Sequence, residues 1–406
     1  MKRYLLTGLF ALLVAGISAQ TLTVSQGRVH TIFAAEQISE INISEGAMLT
    51  IGGVDYAVSE TDSIVVDQRQ APTASVEVTW KADGPVVMLA GDVAPWITIS
   101  VEGNHVIVTP ADDLEEEVTY TLSGTATNAS FTLQGSFKST LVLNNVNLTS
   151  NNGPALNILN GKRIAIVVPE GTANSFTDAA GGTHKAALFI NGHAEWSGGG
   201  TVSVKGFTKH AYASDEYTQL KEDFGKFIVT GAAGDGMHIG QYFSQQAGSV
   251  TISGCSGDGI DCEKTKDQTD ELNGQVLISG GTLNVNIGSV GDVKALKSDS
   301  LMTITGGTIT LNGSGDGQKG IKTGTDLLVQ QASGSTVSIT ITMTGGVYHS
   351  GQADESKTRG IKVDRNFTFN GGTIKVTTGG TKAKDVVVDG VYNKISGTMN
   401  AKVYND

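Results

Sequence analysis

Two cysteines and six prolines are all that this 406-residue chain contains of either residue. Cys255 and Cys262 are too few for a disulfide framework, so the fold does not rest on covalent cross-links. Both read as small buried residues, with Cys262 facing inward. The scarcity of proline beside 53 glycines excludes collagen and proline-rich linkers, and instead fits many tight corners. Aromatic residues make up only 6% of the chain, which speaks against a flat aromatic platform. Long stretches of helical periodicity are scarce. Positive charge is also in deficit, with 28 Lys and Arg against 40 Asp and Glu and a net charge of -12. Such a surface excludes nucleic acid and anionic membranes as partners. What the chain has in abundance is apolar residues alternating with Thr, Ser and Asn, the period-2 signature of strands with one buried face.

Residues 1–19 read as a signal peptide. Lys2 and Arg3 form the charged start, Leu5 to Gly16 the apolar core, and Ile17-Ser18-Ala19 a small-residue cleavage site. The apolar run is too short for membrane insertion, and no cysteine follows the site to take a lipid. The expected location is secreted, periplasmic or cell-surface. Residues 20–70 form a short β-rich region and 71–119 a strand-rich connecting or capping region around Pro72, Trp80 and Trp96. The repeats fill 120–395.

Three phrases recur there. Gly234-Asp235-Gly236, Gly257-Asp258-Gly259, Gly291-Asp292 and Gly315-Asp316-Gly317 open successive units. Ser279-Gly280-Gly281-Thr282, Thr305-Gly306-Gly307-Thr308 and Asn370-Gly371-Gly372-Thr373 mark their middles. Ala295-Leu296-Lys297, Gly320-Ile321-Lys322 and Gly360-Ile361-Lys362 close them. A unit this small cannot bury a core alone and must stack on its neighbours. A period of about 24 residues with glycine at the corners predicts an all-β solenoid, a right-handed parallel β-helix. Two polar insertions, Lys264 to Asn273 and a stretch between Leu328 and Arg359, are expected as surface loops.

Aligning the strand after each corner places Leu156, Leu188, Ile260, Leu296, Ile321 and Ile361 inside. The next residue of each then faces out. One outward row is expected to read Asn157, Phe189, Tyr212, His238, Asp261, Lys297, Lys322, Lys362, with rungs about 4.8 Å apart. Stacked lysines repel. The row is either a solvated face or a groove for an anionic ligand, with Tyr212, His238, Lys297, Lys322 and Lys362 as its substrate-binding residues. Asp235, Asp258 and Asp261 fall about one turn apart. They either cap their own turns or converge on a cation, for which Ca²⁺ suits an all-oxygen set better than zinc does. Asp292 and Asp316 occupy equivalent corners and are further candidate metal ligands.

The units Gly257-Asp258-Gly259-Ile260-Asp261, Gly320-Ile321-Lys322 and Thr305-Gly306-Gly307-Thr308-Ile309 resemble those of secreted carbohydrate-binding β-helix proteins related to family 9 pectate lyases, over roughly Tyr120 to Tyr392. The resemblance implies bound calcium and affinity for plant cell-wall polysaccharide, including polygalacturonate-like chains; a monomer is expected. It also implies that Asp235, Asp258 and Asp261 hold calcium, and that Lys297 stands where a lyase has its catalytic base. One position departs from the lyase pattern, which has an aspartate where this chain has Gly257. Calcium-dependent binding without efficient catalysis is therefore the expected function, ahead of β-elimination or a structural adhesin.

Overall fold

The computed structural model describes residues 20–405 apart from 39, 45 and 46; the expected signal peptide, 1–19, lies outside the described residues. The chain is all-β. Its strands form a 23-stranded and a 13-stranded sheet, with a small three-stranded sheet and a two-stranded hairpin at the side. No helix among the described residues is long and apolar enough to cross a membrane.

Each repeat unit lays down three strands, and each strand pairs in parallel with its counterpart one unit along. Gln275–Ile278, Thr282–Asn286 and Lys294–Ser298 make one unit; Met302–Ile304, Gly307–Gly313 and Lys319–Thr323 make the next. Val276 pairs with Met302, Leu283 with Ile309 and Leu296 with Ile321. Three parallel ladders result. The first two belong to the larger sheet and are joined by long bent strands such as Phe367–Thr378. The third is the 13-stranded sheet, parallel from Asn104–Pro110 to Val403–Asn405, and it carries the candidate site.

Apolar residues from all three ladders share one core. Leu296, Ile321 and Ile361 are fully buried within it, as their alternation requires. Each such side chain contributes about 1.5–3 kcal/mol of burial free energy. In the third ladder two consecutive residues point inward, a small one and then a large one. Gly320 precedes Ile321 and Gly360 precedes Ile361 because the second ladder's side chains press against the backbone there. A Cβ on Gly320 would lie 2.4 Å from Ile341 Cγ2, and one on Gly360 2.1 Å from Val376 Cγ1. Neither position has room for a side chain.

The N-terminal strands join this stack. Thr21–Gln26 lies antiparallel between Val29–Ala34 and Ser63–Asp67, and Ser75–Lys81 pairs in parallel with Thr119–Thr127. Leu22, Phe33 and Trp80 sit in the same core as Tyr120 and Leu122. Paired edges of this kind cover a strand row that would otherwise be open to association. The insertion from Lys264 to Asn273 is a loop at the corner between the third ladder and the first of the following unit. The second insertion folds into a hairpin, Val347–Tyr348 with Ser356–Lys357, at the opposite corner. The two insertions flank the outward face of the third ladder. Cys255 and Cys262 are buried thiols with no disulfide, and Cys262 faces inward.

Candidate functional site

The register of the third ladder fixes its outward row as Asn157, Phe189, Ala213, His238, Asp261, Lys297, Lys322, Lys362, Val387 and Tyr404. Five of the expected members, from His238 to Lys362, therefore stand side by side one rung apart. Tyr212 does not. It pairs with Leu188 and Met237 in the inward row and is 0% exposed, its hydroxyl bonded to Thr218 Oγ1 at 2.7 Å. Ala213 takes the outward place. Ala211-Tyr212-Ala213 follows the small–large–outward order of Ala187-Leu188-Phe189, a signal present in the sequence. Simple alternation missed it because alanine fits either face.

Corner residues ahead of these strands form a second row that spacing did not reveal. His210, Asp235 and Asp258 are followed at the same position by Lys294, Lys319, Arg359 and Lys384, the last four in register. The face is bipolar, with carboxylates and imidazoles toward one end and cations toward the other.

At the acidic end the rings of His210 and His238 stack, with centroids 4.4 Å apart. Asp235 Oδ2 lies 3.1 Å from Nδ1 of each. His210 Nδ1 also accepts the Asp235 backbone N–H at 3.0 Å, so the neutral ring carries its proton on Nε2, which is buried without a partner. Burial pushes His210 below the usual imidazole value, and the neighbouring Asp235 carboxylate opposes it. Burial works the same way on His238, but Asp235, Glu263 and Asp261 outweigh it and hold that ring above its ordinary value. Asp235 itself is largely buried, yet the His210 and His238 imidazoles beside it and the Asp258 N–H keep it well below the carboxylate range.

Asp235 and Asp258 also act as turn caps. Asp258 N–H donates to Asp235 Oδ1 at 2.7 Å, and Lys294 N–H to Asp258 Oδ1 at 2.8 Å. The expected triad of Asp235, Asp258 and Asp261 accordingly does not gather its oxygens at one point. Among the described residues the groupings tight enough for a cation are His210, Asp235 and His238, and His238, Asp261 and Glu263, with ligand atoms within 4.8 Å of one another. His210 and Glu263 were not anticipated from sequence. Asp292 and Asp316 lie in neither grouping. Asp292 receives Lys319 Nζ at 2.9 Å and Ser356 Oγ at 2.5 Å, and Asp316 receives Gly346 N–H at 2.6 Å, so both pin the inserted hairpin.

The donor set nonetheless fits a cation. Both Asp235 oxygens are engaged, but Asp258 commits only Oδ1. Burial pushes Asp258 up to about 6, opposed by Lys294, with the charges of Asp261 and Asp235 adding to the rise. A partly buried carboxylate raised in this way marks a place short of positive charge. Asp261, 6% exposed, is likewise raised by burial against the opposing pull of Lys297.

The lysines are not a bare cationic ladder. Lys297 Nζ lies 2.8 Å from Asp261 Oδ1, though off the axis of a good hydrogen bond, 3.3 Å from Asp299 and 3.8 Å from Glu263. Lys322 pairs with Asp364, and Lys362 with Asp389. Carboxylates two residues beyond the outward row thus neutralise the stacked ammoniums, which is how the ladder avoids its own repulsion. Burial would depress Lys297, but Asp261 and the other carboxylates hold it above its usual value. An ammonium held in this way is protonated at neutral pH and is not a ready base.

A solved structure, the gadolinium derivative of a polysaccharide lyase-like protein from C. thermocellum, shares this fold. It is 20% identical, covers 64% of this chain and 98% of its own, and has a TM-score of 0.51. The likeness is one of fold. The model of the family described as carbohydrate-binding domain-containing protein matches residues 102–399, and the chain belongs to that family. No curated protein matches the chain. That family membership supports polysaccharide binding in general.

Proposed function

We propose that this chain is an exported monomer that binds acidic plant cell-wall polysaccharide, of the polygalacturonate type, with the help of Ca²⁺. In this reading the three ladders are the faces of one right-handed parallel β-helix, and the protein is related to family 9 pectate lyases without being an efficient lyase. The observation that carries it is the bipolar outward face: Asp261, with Glu263 two residues on, lies on the rung before Lys297, and Lys322 and Lys362 follow on the next two. Asp261 and Glu263, with His238 beside them, would hold the cation. When bound, it supplies positive charge that both satisfies these carboxylates and bridges to a uronate carboxylate. The lysines meet the next uronates along the chain by exchanging partners. The Asp364 and Asp389 pairs are partly exposed, and such pairs are worth about 0.2–1 kcal/mol, so the exchange costs little. Lys297, held as an ammonium by its carboxylates, serves attraction rather than proton abstraction.

The test is titration calorimetry with polygalacturonate, in Ca²⁺ and in chelator, on the parent, Asp261→Asn and Lys322→Ala/Lys362→Ala. Binding that needs Ca²⁺, fails in Asp261→Asn and weakens with salt in the parent is expected. Equal affinity in chelator, or preference for neutral glycans, overturns the reading. Ultraviolet absorbance of unsaturated products in the same samples should stay flat.

A further inference from the structure

Two rungs before His238, the outward row of the third ladder carries an aromatic ring that the charges around it do not explain. Phe189 pairs with Asn157 on one side and with Ala213 on the other, in register with His238 and Asp261. It is only 8% exposed, yet it does not belong to the interior. Its ring packs with Ala186 and Ala213 in a small cluster separate from the main core. Lys185 covers it, with Nζ 5.1 Å from the ring centroid. That ammonium is held in place by Asp215, at 2.5 and 2.6 Å from the two carboxylate oxygens, and the side chains of the pair are 54% and 37% exposed.

We infer that Phe189 is a pyranose-stacking subsite, closed in the free protein by the Lys185–Asp215 pair and opened by a sugar ring that replaces the ammonium. The inference rests on the glycan-binding reading and extends it to one residue and one part of the ligand. An aromatic face attracts a cation and the C–H face of a sugar by the same negative quadrupole, so the two compete for one surface. The cover is easily moved, because an exposed ion pair and an exposed cation–π contact are both weak. Ala213, the small residue in the position next to the ring, leaves the rung between Phe189 and His238 free of bulk.

Geometry then sets a length requirement. Phe189 and Asp261 are three rungs apart, about 14 Å at strand spacing, so a ligand must run over roughly three or four sugar units to touch both. The test compares galacturonate dimer and hexamer binding, with Ca²⁺ present, in the parent, Lys185→Ala, Phe189→Leu and Phe189→Tyr. Lys185→Ala should bind the hexamer about two- to fivefold more tightly. Phe189→Leu should bind it about three- to tenfold more weakly, with Phe189→Tyr near the parent. The dimer, held at Asp261, should not distinguish them. If Lys185→Ala binds the hexamer no better than the parent, or Phe189→Leu no worse, the subsite is overturned even while Asp261→Asn abolishes binding and the wider reading stands. If the parent binds neither oligomer, both fall together. Lys185 is exposed and its removal leaves the core intact, so its outcome decides even where Phe189→Leu folds poorly.

Discussion

Asp258→Asn should make the cation-free protein more stable at neutral pH. The carboxyl is raised from 3.8 to about 6, chiefly by burial, and that difference corresponds to about 3 kcal/mol. The sign follows from proton binding. Below 3.8 the folded and unfolded carboxyls are both protonated and the residue adds nothing. Between 3.8 and about 6 the folded state binds the proton more tightly, so stability falls as pH rises. Above about 6 the whole penalty is present. Asparagine keeps Oδ1 as acceptor for the Lys294 N–H, at 2.8 Å in the parent, while removing the charge. In chelator the variant should therefore unfold later than the parent at pH 8, by an amount on the order of 1–3 kcal/mol. The gap should close as pH approaches 4. Added Ca²⁺ should raise parent and variant alike, since Asp258 lies outside the His238, Asp261 and Glu263 grouping. A ligand at a hundred times its Kd stabilises the native state of either by about 2.7 kcal/mol. Urea unfolding followed by circular dichroism across pH 4–8 is the measurement. A variant less stable than the parent at pH 8 in chelator, or a difference that does not change with pH, would show that Asp258 is not short of positive charge.

Other outcomes follow from the same geometry. Tyr212→Phe should cost about 1 kcal/mol by removing the hydroxyl bonded to Thr218, and should leave polygalacturonate affinity unchanged. Gly320→Ala should destabilise by about 1–3 kcal/mol, since its Cβ has no room beside Ile341 and the Gly360 carbonyl, and the loss should appear in thermal unfolding without any change in the ligand. Lys297→Met leaves Asp261, Glu263 and Asp299 without their shared ammonium. Its stability deficit should grow as pH rises through the carboxylate range, toward about 3 kcal/mol, and shrink in acid, where those groups take up protons.

Sequence by itself determined the repeat, the all-β class and the direction of most side chains in the third ladder. Leu296-Lys297, Ile321-Lys322 and Ile361-Lys362 could be phased because a large aliphatic beside a lysine has one stable orientation on a half-buried strand. The same logic failed at His210-Ala211-Tyr212-Ala213, where alanine is content on either face and tyrosine is apolar along most of its length. There the paired register decided, and the phenol went inside. Partner choice was also beyond the sequence. Lys322 and Lys362 meet Asp364 and Asp389 from the following rungs, and His210 meets Asp235 across a corner, contacts set by stacking rather than by spacing along the chain. The corner aspartates show the same division. Their recurrence was legible, but whether their oxygens converge depends on how each backbone N–H is satisfied. In the folded chain Asp235 and Asp258 spend one oxygen each on the next unit's backbone, because a buried amide left without an acceptor costs more than a carboxylate turned aside.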